Sequence, residues 1–255
     1  MPAYVSHTIM ARDVYNKINN KKVDLNYMLT FSLGGDLCKY AKCRYDSHHK
    51  SMNEFIYNMC DYMIRNNLID DSECLGVLYG HICHYIMDDE IHPLVRKIDR
   101  TCKKGKKNHT MIELYYDNYL SYNKYEVKLN KYDNKKIFKG KMNRKVSKMI
   151  NYVYYETYNC KNVAFYYKFN IWLYKKIKYL YKLFSFNILK SVSGMNKFLS
   201  DNEDIDLFND NRSVSYKMSD GRELKSNLDS LYKSSVNRAV NYIKKINLYI
   251  KEKRN

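Results

Sequence analysis

Two prolines, Pro2 and Pro93, and eight glycines are all the chain-breaking residues in these 255 positions. So sparse a supply excludes the turn-rich chain of a many-stranded sheet protein and leaves no Pro/Gly/Ser linker to mark a domain boundary. No Cys-x-x-Cys is present, and the seven cysteines (38, 43, 60, 74, 83, 102 and 160) form an odd set. Neither a disulfide framework nor a thiolate zinc ribbon is therefore expected, and the cysteines read as reduced, partly buried thiols. No internal repeat is found. No uncharged run is long enough to span a bilayer, and the opening MPAYVSHTIMARDVYNK has no apolar export segment. A soluble, cytoplasmic protein is the expectation.

Charge of one sign is scarce in one part only. Residues 1 to 100 hold 12 Lys and Arg against 13 Asp and Glu, while the rest holds 33 against 14. The basic excess, +18 overall, thus lies in the second part and suits an anionic partner, either a peripheral anionic membrane surface or nucleic acid. Lys, Asn and Tyr are inflated together, with 28 tyrosines, which a compositional bias in the coding DNA explains equally well.

The apolar residues recur at helical intervals, so an all-α fold is expected as one domain over residues 1–255. Helical spacing covers residues 10 to 30 and 51 to 68, and Cys74 to Met87 reads as a buried helix that Pro93 ends just beyond His92. Gly76 and Gly80 would let a second helix approach it closely. A further helix begins at His109, residues 121 to 150 read as a polar, partly mobile stretch, and an aromatic, lysine-rich helix runs from 163 to 186 through Trp172. Its lysines exclude a membrane span and favour a core helix with Lys stems on its outer face over an interfacial helix. After the acidic loop DNEDIDLFNDN, a last helix carries Leu224, Leu228, Leu231, Ala239, Tyr242, Ile246 and Ile250 on one face. Residues 150–252 thus close the helical domain.

Against these absences stands one concentration. All seven histidines fall between positions 7 and 109, and His84-x-x-x-Asp88 and His109-x-x-x-Glu113 flank His92. Residues four apart on a helix lie about 40° apart around its axis, so each pair can converge on one cation. One such pair is commonplace on a solvated helix. Two, clustered with most of the remaining histidines, predict a metal site with imidazole and carboxylate donors of the kind zinc prefers. His81 is expected to be a satisfied helix histidine. Asp117, one turn beyond Glu113, is expected to lie behind the ligands and orient a histidine.

In chain order, His7 in VSHTIMA, Asp36 in SLGGDLC, His48 in YDSHHK, His84 and Asp88, His92, and His109 and Glu113 form a series. In that order the chain resembles the zinc-dependent phospholipase C family, which includes bacterial phosphatidylcholine-cleaving enzymes and the catalytic domain of clostridial alpha-toxins. The resemblance covers residues 1 to 120 and extends beyond them only as helical closure. It implies an all-helical domain in which Asp36, His48, His84 and Asp88 hold one zinc and His92, His109 and Glu113 a second. His49 is the alternative to His48. The family's third zinc uses an N-terminal tryptophan, which is lacking here, together with residues matching His7 and Asp88, so two zinc ions or three are expected. The implied activity is phosphodiester hydrolysis of a phospholipid or other phosphoester, with Asp36 as general base.

Two other readings stay open. Single-strand nucleases share this superfold, and a cytosolic module could keep its zinc for folding alone. The basic loop RTCKKGKK joins the two ligand clusters, and its Lys103, Lys104, Lys106 and Lys107 would steer an anionic substrate unless they are simply a solvated charge run.

Overall fold

The structure, a computed structural model, describes residues 4–44, 52–101, 109–127, 134–183, 214–217, 221 and 223–254. It is predominantly helical. In chain order the α-helices are α1 (Tyr4–Ile18), α2 (Leu25–Phe31), α3 (Met52–Arg65), α4 (Ser72–Thr101), α5 (His109–Tyr125), α6 (Asn134–Ile137), α7 (Arg144–Tyr158), α8 (Val163–Leu183) and α9 (Leu228–Arg254). Two short 3-10 turns, Gly34–Cys38 and Lys42–Arg44, follow α2. A two-stranded antiparallel hairpin, β1 (Val214–Lys217) with β2 (Glu223–Ser226), precedes α9 in the register Val214 to Ser226 and Lys217 to Glu223.

Several helices start where a side chain can accept the first free amides. The Asp24 carboxylate accepts from Asn26 and Tyr27 at the head of α2, Asn143 accepts from Val146 at α7, and Asn227 accepts from Ser230 at α9. At the end of α7, Asn159 sits in the left-handed region at φ 51°, a conformation asparagine tolerates better than most residues.

The centre of the fold is α4, 30 residues and therefore about 45 Å long. Val77, Leu78, Ile82, Ile86, Leu94, Val95 and Ile98 along it are buried, and α1, α2, α3, α5 and α9 pack around it. Helix α2 comes closest. A Cβ on Gly80 would stand 2.7 Å from the carbonyl oxygen of Met28, and one on Gly76 2.6 Å from that of Asp24. The close approach expected at these two glycines is present, as helix packing.

The structure departs from the sequence expectations in four places. Helix α4 does not end at Pro93 but runs through it to Thr101. A proline costs a helix one hydrogen bond, and buried Leu94, Val95 and Ile98 anchor the chain beyond it, so packing outweighs the local break. Residues 144 to 158, which overlap the stretch expected to be mobile, form α7, whose Val146, Met149, Ile150 and Val153 are buried. Leu224 belongs to β2 and not to the last helix, which Asn227 starts three residues later. The outer face of α8 presents aromatic rings as well as lysines. Six cysteines are free and buried, as expected, whereas Cys102 lies outside the described residues. Among the described residues, no helix is long and apolar enough to cross a membrane.

Candidate metal centre

Helix α4 carries His84, Asp88 and His92 one turn apart on a single face, because the helix continues past Pro93. Asp88 stands in the middle. His7 Nε2 lies 3.2 Å and His92 Nε2 3.6 Å from its Oδ1, and His84 Nε2 3.4 Å from its Oδ2. On the neighbouring helix, Glu113 Oε1 is 2.8 Å from His109 Nε2 and 3.3 Å from His92 Nε2. The ring centroids of His7 and His84 are 4.7 Å apart and those of His92 and His109 5.5 Å apart.

Among the described residues, two groups have donor atoms close enough to share a cation: His7, Asp36 and His84, and His92, His109 and Glu113. The second is the trio expected from the sequence. The first differs from expectation, because His7 joins Asp36 and His84 instead of standing apart with Asp88. Asp88 touches both groups. His48 and His49 lie outside the described residues, as do Lys103, Lys104, Lys106 and Lys107, so the choice of histidine and the steering loop are not placed.

The donors lie against one another as a chain of imidazole–carboxylate contacts. Glu113 is buried, and although the His109 and His92 rings approach its Oε1 at 2.8 Å and 3.3 Å, neither of its oxygens has a well-aligned donor. The Nδ1 of buried His7 has no partner either. A buried carboxylate whose contacts are poorly aligned is costly, and a cation shared among these donors would lower that cost. Burial lowers the pKa of His92, but the charges of Asp88 and Glu113 outweigh it and push the ring up to about 9. His7 is likewise raised, its burial outweighed by Asp88, and burial of Asp88 is outweighed by His92, His84 and His7, which hold its carboxyl well below the usual range. Imidazole must be neutral to ligate, so filling the site displaces protons.

Side-chain exposure is graded across the centre. His84 is 0% exposed, Glu113 3% and His7 4%, whereas Asp88 is 16%, His92 28% and His109 33% exposed. The floor is closed and one rim faces solvent.

Neighbouring elements hold these donors in place. Asp36 sits in the 3-10 turn Gly34–Cys38, which α8 grips from above: the Tyr167 hydroxyl donates to the Gly34 carbonyl at 3.0 Å and Asn170 Nδ2 donates to Leu37 O at 2.9 Å. Gly34 has φ +39°, and a Cβ there would overlap the His84 ring. Replacing Gly34 by Ala should therefore strain the backbone and displace that ring. At least one equivalent of bound metal should be lost, read by elemental analysis, with far-UV circular dichroism preserved.

Asp117 does something other than expected. Its two oxygens accept from the amides of Val5 (3.2 Å) and Ser6 (2.8 Å), so it anchors the first turn of α1, the helix that carries His7, and not a histidine ring. Burial pushes its carboxyl up to about 7 against the pull of those amides. Asp117→Ala should destabilise the protein by about 1–3 kcal/mol in denaturant unfolding, the cost of stranding buried donors. No local pattern in the chain points to these anchors. Asp117 meets Ser6 across 111 positions, and Asn170 meets Leu37 across 133.

His81 is satisfied within the core, as expected, and takes no part in either donor group. Its Nδ1 donates to Val77 O and its Nε2 faces the Tyr167 hydroxyl, both at 2.8 Å, and burial pushes it down to about 4.

No family model matches this chain, and no curated protein or solved structure matches it either.

Proposed function

We propose that the protein is a zinc-dependent phosphodiesterase, phospholipase C-like, that hydrolyses a phospholipid or another phosphoester. The observation that carries the proposal is the graded exposure of the donor cluster. A metal held only for folding is enclosed by protein ligands, whereas a catalytic one keeps a side open to water and substrate. Here buried His84, His7 and Glu113 form the floor, and His92, His109 and Asp36 lie toward solvent. Imidazole nitrogen with carboxylate oxygen is a donor set that suits zinc better than calcium or magnesium, which favour oxygen alone.

Zinc bound there would supply a Lewis acid that neutralises phosphoryl oxygens and lowers the pKa of water. The chain's own residues have distinct tasks. His84 and His7 fix the floor, since neither ring can turn out to solvent. Asp88 keeps the two groups at a set separation through its contacts with His7, His84 and His92. Asp36 is only partly buried and is the least buried member of its group, so it can accept a proton from attacking water.

The test is turnover of p-nitrophenylphosphorylcholine, bis-p-nitrophenyl phosphate and single-stranded DNA, each with and without chelator. Zinc-restorable cleavage of the phosphoesters is expected. Cleavage of DNA alone would move the assignment to a nuclease, and no turnover at full zinc occupancy would leave a non-catalytic zinc module.

A further inference from the structure

Helix α8 has two faces. Val163, Tyr167, Asn170, Ile171 and Tyr174 are buried against the core. On the opposite side Phe165, Phe169 and Trp172 follow at intervals of four and three, and so line up along the helix. Phe165 is 68% exposed, Phe169 43% and Trp172 55%. Exposed Tyr40, from the segment after the Asp36 turn, joins them with its ring centroid 6.0 Å from that of Phe169, and Trp172 is 6.1 Å from Phe169 on the other side. Burying such rings in water-free surroundings gives each a gain of the order of 1 kcal/mol or more, so leaving four together in water is unfavourable without a partner.

The charge around the stripe indicates which partner. Exposed Lys161, Lys168 and Lys176 flank it, Lys39 stands 5.8 Å from the Tyr40 ring, and α8 contains no acidic residue along its whole length. Aromatic rings bordered by lysines are the composition of a helix that lies in the interface of an anionic bilayer. Nucleic acid would also meet the charge, but stacking with bases needs separate, open ring faces. Here Tyr40 stands edge-on to Phe169 and Trp172 is tilted at 30° to it, so these three rings lean on one another, and Phe165 extends the apolar ridge one turn along the helix.

The ridge is also tied to the metal centre. Tyr40 is four residues from Asp36, within about 15 Å along the chain, and α8 holds the Asp36 turn through Tyr167 and Asn170. We infer that Tyr40, Phe165, Phe169 and Trp172, with Lys39, Lys161, Lys168 and Lys176, form a docking surface that seats the protein on an anionic phospholipid membrane. The inference rests on the proposed function only for the notion that a bilayer presents the substrate; the docking itself needs no catalysis.

Trp172 is the sole tryptophan, so its fluorescence reports directly on the ridge. The protein as purified, without chelator, is titrated with vesicles of phosphatidylcholine containing phosphatidylglycerol, and with vesicles of phosphatidylcholine alone. A blue shift of Trp172 and quenching by brominated lipid are expected with the anionic vesicles, with binding weakened by salt. The double variant Phe165→Ser, Phe169→Ser should lower partitioning about tenfold or more, with far-UV circular dichroism unchanged and turnover of a soluble phosphoester retained. Trp172 emission unmoved by anionic vesicles, or equal partitioning of parent and variant, overturns the docking surface. A response to single-stranded oligonucleotide with none to vesicles overturns it too and assigns the ridge to nucleic acid. Docking without hydrolysis of any phosphoester would overturn the catalytic proposal and leave this one standing.

Discussion

Purified without chelator, the protein is expected to carry two or three zinc ions per chain, and His84→Ala and His109→Ala are each expected to lose at least one. His84 is the fully enclosed nitrogen of the first group, and His109 makes the closest approach to Glu113 in the second. Removing either leaves a gap that only water can fill, which weakens a zinc site by orders of magnitude. The two variants should also differ. His109 lies at the exposed rim, so His109→Ala should keep the melting temperature of the chelator-treated parent, whereas His84→Ala leaves a cavity beside the core and should cost roughly 2–4 kcal/mol even without metal. Less than one zinc per chain in the parent would remove the basis of the metal reading.

The largest single loss is expected from Asp88→Ala. His7, His84 and His92 each come within 3.6 Å of this one carboxylate, and its removal leaves three imidazoles facing one another with no negative charge between them. Metal should be lost from both groups together, and turnover of a soluble phosphoester should fall by about a thousandfold or more, in the range found when charge-stabilising groups are removed from active sites. Asp36→Asn offers the contrast. If Asp36 accepts the proton, turnover should fall by about 100-fold to 10,000-fold while most of the zinc is retained and KM changes little. Equal zinc loss in Asp36→Asn and Asp88→Ala would make Asp36 a ligand with no separate part in proton transfer.

Much of this centre can be read from the chain, for a local reason. His84 with Asp88, and His109 with Glu113, are pairs within one helix, and helical periodicity alone sets their convergence. His92 is instructive because its position is right and its expected setting is wrong. Pro93 signals a helix end, but that local cost of a few kcal/mol is smaller than the burial of Leu94, Val95 and Ile98 beyond it, and the uninterrupted helix places His92 on the Asp88 face. The grouping of His7 with Asp36 is not legible, because it depends on how α1 and the 3-10 turn settle against α4. The same holds for Asp117, whose partners lie on another helix, and for α7, whose polar outer face masks a regular inner stripe of Val146, Met149, Ile150 and Val153. The outer rings of α8 look like core residues in one dimension and are found to be solvent-facing only when the buried side is known.

The grip of Tyr167 and Asn170 on the Asp36 turn has a consequence for synthesis. Every donor in the two groups has been synthesised once residue 113 is added, yet the turn that presents Asp36 is clasped by side chains more than fifty positions later in the chain. Helix α4 can offer His84, Asp88 and His92 early, as a preformed rail. The Asp36 side of the centre must wait for α8 to emerge and fold back. Metal bound during synthesis is therefore expected to enter the His92 group first and the His84 group only once α8 has folded back onto the turn.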